Sequence, residues 1–190
     1  IQPALEEAMA AQLREVERIA GDPAAPTFQN TLAALENAER PLLRVLALYE
    51  VYATALSTPE FQPVELAMAP KLAAHQDKIL QNEKLFARLA AVYDARERSG
   101  LTPEQQRLAW LYYTNFVRAG AKLQGPAKVR VAAINERLAS LFTTFAQNLL
   151  GEEEGLLLLD PQQDAGGLPA SFVAATSAAA ESLGHKGKLA

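Results

Sequence analysis

The stretch Ile134–Leu150, INERLASLFTTFAQNLL, constrains the fold of this chain more than any other. Ile134, Leu138, Leu141, Phe142, Phe145, Leu149 and Leu150 recur every three or four residues, a spacing that gathers them on one side of an α-helix. Asn135, Glu136, Arg137, Ser140, Thr144 and Gln147 fall on the other side. Burying each large apolar side chain is worth about 1.5–3 kcal/mol, so the whole stripe would contribute roughly 10 kcal/mol as an upper bound. Such a stripe needs partners, and the expectation is that the helices before it supply them. On that expectation Leu141 is a core residue, and Leu141→Ala costs about 2–5 kcal/mol.

The preceding chain reads as a series of helices with local start and stop signals. Pro3 suits the first turn of a helix carrying Leu5, Met9, Leu13, Val16 and Ile19 or Ala20, and Gly21-Asp22-Pro23 stops it. Thr27 caps a second helix, with Leu32, Leu35, Leu42, Leu43, Leu46, Tyr49 and Tyr52 or Ala53 as its stripe. Pro41 removes the bond to the Asn37 carbonyl, which predicts a kink or short break near Arg40. A third helix carries Phe61, Val64, Leu66, Met68, Leu72, Ile79 and Leu80, bent at Pro70. Asn82 caps a fourth, with Leu85, Phe86, Leu89, Val92 and Tyr93, ended by Ser99-Gly100. Thr102-Pro103-Glu104-Gln105 combines a cap, a first-position proline and a capping-box glutamine. Leu108, Leu111, Tyr112, Phe116 and Val117 follow, and Gly120 and Gly125-Pro126 separate that helix from the long one.

Beyond Leu150 the character changes. Leu156–Leu159 is a four-residue apolar run closed by Asp160-Pro161, too short for a helix and suited to a buried strand. A lone strand cannot satisfy its ladder, so its partner is expected outside this chain. Pro169–Leu183 reads as a final, alanine-rich helix ended by Gly184. The expected fold class is all-α. Residues 1–150 form an antiparallel helical bundle of hairpins, and residues 151–190 a strand-like segment plus a helix.

Composition excludes several function classes. Lys and Arg total 18 against 22 Asp and Glu, and no basic cluster interleaved with aromatics suggests a nucleic-acid surface. No apolar run approaches the ~20 residues of a membrane span. The absence of cysteine removes disulfides, thiolate metal sites and Cys nucleophiles, and does not fix the compartment. The chain begins at Ile1 rather than Met, so it is read as processed or cut from something longer.

Residues with chemistry are sparse. The only histidines are His75 and His185, and His75-Gln-Asp-Lys lacks the second histidine of an H-E-x-x-H zinc helix. His75 is read as a helix-surface or bundle-edge residue, and His185 as exposed loop. Glu152–Glu154 reads as a solvated charge run rather than a cation site. Tyr49, Tyr52, Tyr112 and Tyr113 read as core aromatics with hydrated hydroxyls. Arg118 and Lys122, at i and i+4, could grip an anion, but an exposed pair of this kind is ordinarily solvated or salt-bridged. No G-x-S-x-G and no phosphate loop occurs.

Six stretches, taken in order, resemble one family. They are PAAPTFQNTLAALE (Pro23–Glu36), MAPKLAAHQDKI (Met68–Ile79), LFARLAAVYDAR (Leu85–Arg96), FVRAGAKL (Phe116–Leu123), Ile134–Leu150 and GLPASFVAA (Gly167–Ala175). The series resembles the N-terminal region of the thimet oligopeptidase-like zinc metallopeptidases. The peptidyl-dipeptidase (dipeptidyl carboxypeptidase) branch is the most similar, and oligopeptidase A is next. The resemblance implies an almost wholly helical protein with two lobes around a channel. It also implies zinc held by two histidines and a glutamate in a C-terminal part, downstream of a region like this one. None of those residues matches a position here. No catalytic, cofactor-binding or metal-ligating residue is therefore assigned.

Two functional readings follow. The first is a non-catalytic N-terminal fragment of a zinc-dependent peptidyl-dipeptidase. Its partner is the C-terminal catalytic part of the same chain, and it restricts which short peptides reach the zinc. Apolar surface is expected where that part docks, with Leu156–Leu159 at the join. The second is a stand-alone helical module that binds a partner helix in a groove.

Overall fold

The computed structural model describes residues 1–153 and 155–190, and of Glu153 the backbone alone. Its regular structure is helical: α1 (Gln2–Ala20), a π-helical turn (Phe28–Ala33), α2 (Ala34–Ala55), α3 (Gln62–Leu80), α4 (Glu83–Ala95), α5 (Pro103–Arg118), α6 (Gly125–Glu153) and α7 (Ala170–Ser182). The chain is all-α. It divides into two compact units, Ile1–Phe145 and Ala146–Ala190.

Helix starts follow the local signals. The Thr27 Oγ1 accepts from the Asn30 backbone N–H at 3.1 Å, and Asn30 Oδ1 accepts from that of Thr27 at 2.7 Å. This reciprocal pair opens the π-helical turn, a wider coil than the α-helix expected here. Thr102 and Gln105 close a second capping box, with bonds of 3.3 and 3.0 Å, ahead of Pro103. Asn82 Oδ1 caps α4 at 2.9 Å from the Leu85 nitrogen. Neither Pro41 nor Pro70 breaks its helix. Pro41 and Asn37 both lie on the exposed side of α2, so water can take the carbonyl that the proline leaves unbonded.

The first unit has two apolar clusters, and α1 contributes to both. Val16 and Ile19 pack with Leu32, Leu35, Leu85, Leu89, Val92 and Phe116. Leu5 and Met9 pack with Leu42 and Met68. The linker between α1 and the π-helical turn is held by Arg88 of α4, which is buried. Its Nη1 donates to the carbonyls of Asp22 and Ala24 at 2.6 and 2.9 Å, and its Nη2 meets the Asp22 carboxylate at 3.4 Å. Stacked rings join α4 to α5: Tyr93 on Tyr113 with centroids 4.1 Å apart, and Phe86 on Phe116 at 6.3 Å.

The stripe of α6 corrects the opening expectation. Ile134, Leu138, Leu141, Phe142, Phe145, Leu149 and Leu150 are all exposed, Phe142 by 69% and Phe145 by 67%. No residue of α6 belongs to either apolar cluster. The helix is tied to the bundle by a neighbouring, more polar face. Asn135 Nδ2 donates to Asp77 Oδ1 of α3 at 2.8 Å, and Lys128 pairs with Glu83 at the start of α4 at 3.1 Å. An open trough of about 510 Å³, lined by Ala74, Lys78, Ala132 and Ala133 among others, runs between α3 and α6. Periodicity finds a helix's apolar side, but whether anything in the same chain covers that side is a tertiary matter.

In the second unit, Leu156–Leu159 also departs from expectation. Only Leu159 pairs, and it pairs within this chain, through an antiparallel bridge to Leu189 with N–O distances of 2.9 and 3.0 Å. Leu156, Leu157 and Leu158 are exposed rather than buried. Leu189 and Ala180 of α7 are the buried apolar residues of this unit among those described. The Ala190 N–H donates to the Thr176 carbonyl at 3.1 Å, which holds the chain end on α7.

Candidate functional site

The first candidate is a groove of about 640 Å³ between α2, α3 and α5. Leu35, Ile79, Leu80 and Phe116 give it an apolar lining, and Gln12, Glu39, Tyr112 and Arg118 bring polar groups to it. The Tyr112 hydroxyl donates to Glu36 Oε1 at 2.5 Å. Burial, that hydrogen bond and the negative charge of Glu36 hold the phenol well above its ordinary pKa, so it stays a neutral donor. Burial also raises the Glu39 carboxyl, and the neighbouring Glu36 charge adds to the shift. The groove thus carries one desolvated carboxyl, Glu39, beside a phenol that is committed to Glu36.

The tyrosines divide. Tyr112 has a protein partner for its hydroxyl, and the Tyr113 ring stacks with both Tyr93 and Phe86. Tyr49 and Tyr52 both meet the Phe61 ring, at 5.7 and 5.4 Å, and Tyr52 is 38% exposed rather than core. Arg118 and Lys122 do not form one anion grip. Arg118 lines the groove beside Tyr112, whereas the Lys122 ammonium sits 5.3 Å from the Tyr113 ring centroid. A hydrogen bond with Tyr113 raises the Lys122 pKa first, and the charges of Tyr113 and Asp94 add to it.

His75 is not the surface residue expected. It is 5% exposed, and its Nε2 lies 2.7 Å from Oε1 of the equally buried Gln12. An amide oxygen can only accept, so the ring carries its proton on Nε2. Burial lowers the histidine pKa, with the Lys78 charge a smaller cause. Its Nδ1 is buried without a partner. His185, in the second unit, is exposed as expected. Among the described residues no three His, Cys, Asp or Glu side chains gather as metal ligands. His75, committed to Gln12 and without a second histidine beside it, does not fit a zinc ligand. Of the Glu152–Glu154 run, Glu154 and the side chain of Glu153 lie outside the described residues. No described helix is long and apolar enough to cross a membrane.

The second candidate is the exposed stripe of α6. Ile134, Leu138, Leu141, Phe142 and Phe145 follow one another along about three turns of the first unit. Contiguous apolar surface of this kind marks interaction sites. Periodicity located these residues, but nothing in the sequence distinguished a covered stripe from an open one. The Glu36–Tyr112 pair, 76 residues apart in sequence, left no local signal at all.

No protein-family model matches the sequence. A dipeptidyl carboxypeptidase of Salmonella typhimurium is 36% identical over 181 residues, covering 94% of this chain. One from Escherichia coli strain K12 is 35% identical over the same length. The chain is similar to dipeptidyl carboxypeptidases. The resemblance read from the six stretches is thereby borne out over nearly the whole sequence. The chain spans 27% of the length of each dipeptidyl carboxypeptidase it matches.

Proposed function

We propose that this chain is the non-catalytic N-terminal part of a zinc-dependent peptidyl-dipeptidase. The longer protein would release C-terminal dipeptides from short peptides. Zinc would be held by residues outside this chain, since neither His75 nor any group of side chains among the described residues fits it. Residues 1–150 would form a lobe that narrows the approach to the active-site channel, and residues 151–190 would join it to the catalytic part. The observation that carries the reading is the match itself, which covers 94% of this chain but 27% of its relatives. A stand-alone interaction module remains the alternative class, and the same match weighs against it.

The test is peptide hydrolysis followed by mass spectrometry. The longer protein is expected to release dipeptides, to stop when chelated and to recover with added zinc. The 190-residue chain alone is expected to release none. Zinc-dependent hydrolysis by the chain alone, or a longer protein that trims single residues, would sink the proposal.

A further inference from the structure

We infer that the apolar stripe of α6 is the seat on which a helical segment from the rest of the longer protein packs. The inference rests on the reading just given, that this chain is one part of such a protein.

Five observations lead to it. The two apolar clusters of the first unit are complete without α6, so the stripe is not a misplaced piece of that core. The helix is nonetheless fixed, by Asn135 on Asp77 and by Lys128 on Glu83, which leaves its apolar side turned away from those contacts. The stripe from Ile134 to Phe145 extends about 17 Å at 1.5 Å per residue, enough for a partner helix of three turns. Its side chains recur at the three- and four-residue spacing that forms ridges and grooves for another helix. The dipeptidyl carboxypeptidases it resembles are nearly four times longer than the matched region, so a large complement of chain is available to cover it.

The chemistry disfavours the other occupants. A helix lying on a membrane surface carries a polar face rich in Lys and Arg, whereas Ile134–Leu150 holds one arginine and one glutamate. Nucleic acid has no use for a stripe of leucine and phenylalanine. A second copy of this chain would cover the same side chains, and the experiment below separates it.

The chain has no cysteine, so single thiols can report burial. Phe142→Cys and Phe145→Cys are placed separately in the 190-residue chain and in the longer protein. Labelling of each by a maleimide is measured by peptide mass spectrometry and normalised to the same protein unfolded in urea. In the 190-residue chain both thiols are expected to label within a few-fold of the unfolded rate. In the longer protein they are expected to label at least roughly tenfold more slowly. Equal labelling in the two overturns the inference. So does protection in the short chain that grows with its concentration, which assigns the stripe to a second copy, or a reading frame that stops at Ala190. Dipeptide release is assayed on the same preparations. Protection without release keeps the docking seat and removes the peptidase reading, and release without protection does the reverse.

Discussion

His75 on α3 and Gln12 on α1 meet 2.7 Å apart, both buried between the helices. The pair joins them by a bond that only a neutral imidazole with its proton on Nε2 can make while leaving Nδ1 bare. Burial depresses the folded-state pKa below the ordinary 6.5, so the unfolded chain binds the proton more readily. The stability this residue contributes is present above that ordinary value and is lost as pH falls through the folded value. Urea midpoints are expected to drop between pH 7.5 and 5.5, and to drop less in His75→Gln, whose amide can still face Gln12. An unchanged pH slope in the variant would remove His75 as the cause. The carboxyls of Glu6 and Asp160, lowered mainly by hydrogen bonds, act in a separate, more acidic window.

Leu141→Ala is expected to change the stability of this chain by less than about 0.5 kcal/mol, the usual size for a surface substitution. The side chain is 46% exposed. Phe116→Ala, at 2% exposure within the larger apolar cluster, is expected to cost about 3–5 kcal/mol. Chemical denaturation of both variants checks the contrast, and similar losses would mean that α6 is covered in solution.

Arg88→Met is expected to destabilise the first unit by about 2–4 kcal/mol, because two linker carbonyls lose a charged donor. The linker Gly21–Pro26 should become the preferred site of limited proteolysis. A variant that unfolds at the wild-type denaturant concentration and resists cleavage there would show that water replaces the guanidinium.

Thr102→Ala removes the acceptor for the Gln105 backbone N–H and is expected to cost about 1 kcal/mol. Serine at the same position should recover most of the loss in thermal melts. A Ser variant no better than Ala would mean that Pro103 and Gln105 start the helix without the hydroxyl.

Much of the fold was legible because its signals are local. Thr102, Asn82 and Thr27 mark helix starts within three residues of themselves, and each cap formed where the sequence put it. Leu5, Met9, Val16 and Ile19 are buried as their spacing implied. What escaped depends on residues far away in sequence. His75 is buried because Gln12, 63 residues earlier, meets it, and the α6 stripe is open because the core closes elsewhere. Pattern alone also cannot separate an α-helical from a π-helical turn over Phe28–Ala33, since both begin with the same cap. The candidate site was legible as a set of residues on α6, while its standing as an open surface was not.

All the buried apolar residues of the first unit lie at or before Ala121. A ribosome that has released the chain through Ala121 has therefore already delivered everything that core requires, and the core can set while α6 is still being made. The long helix then emerges onto a finished body. Its bare side faces whatever the ribosome synthesises next, so the order of synthesis itself gives later segments first access to it.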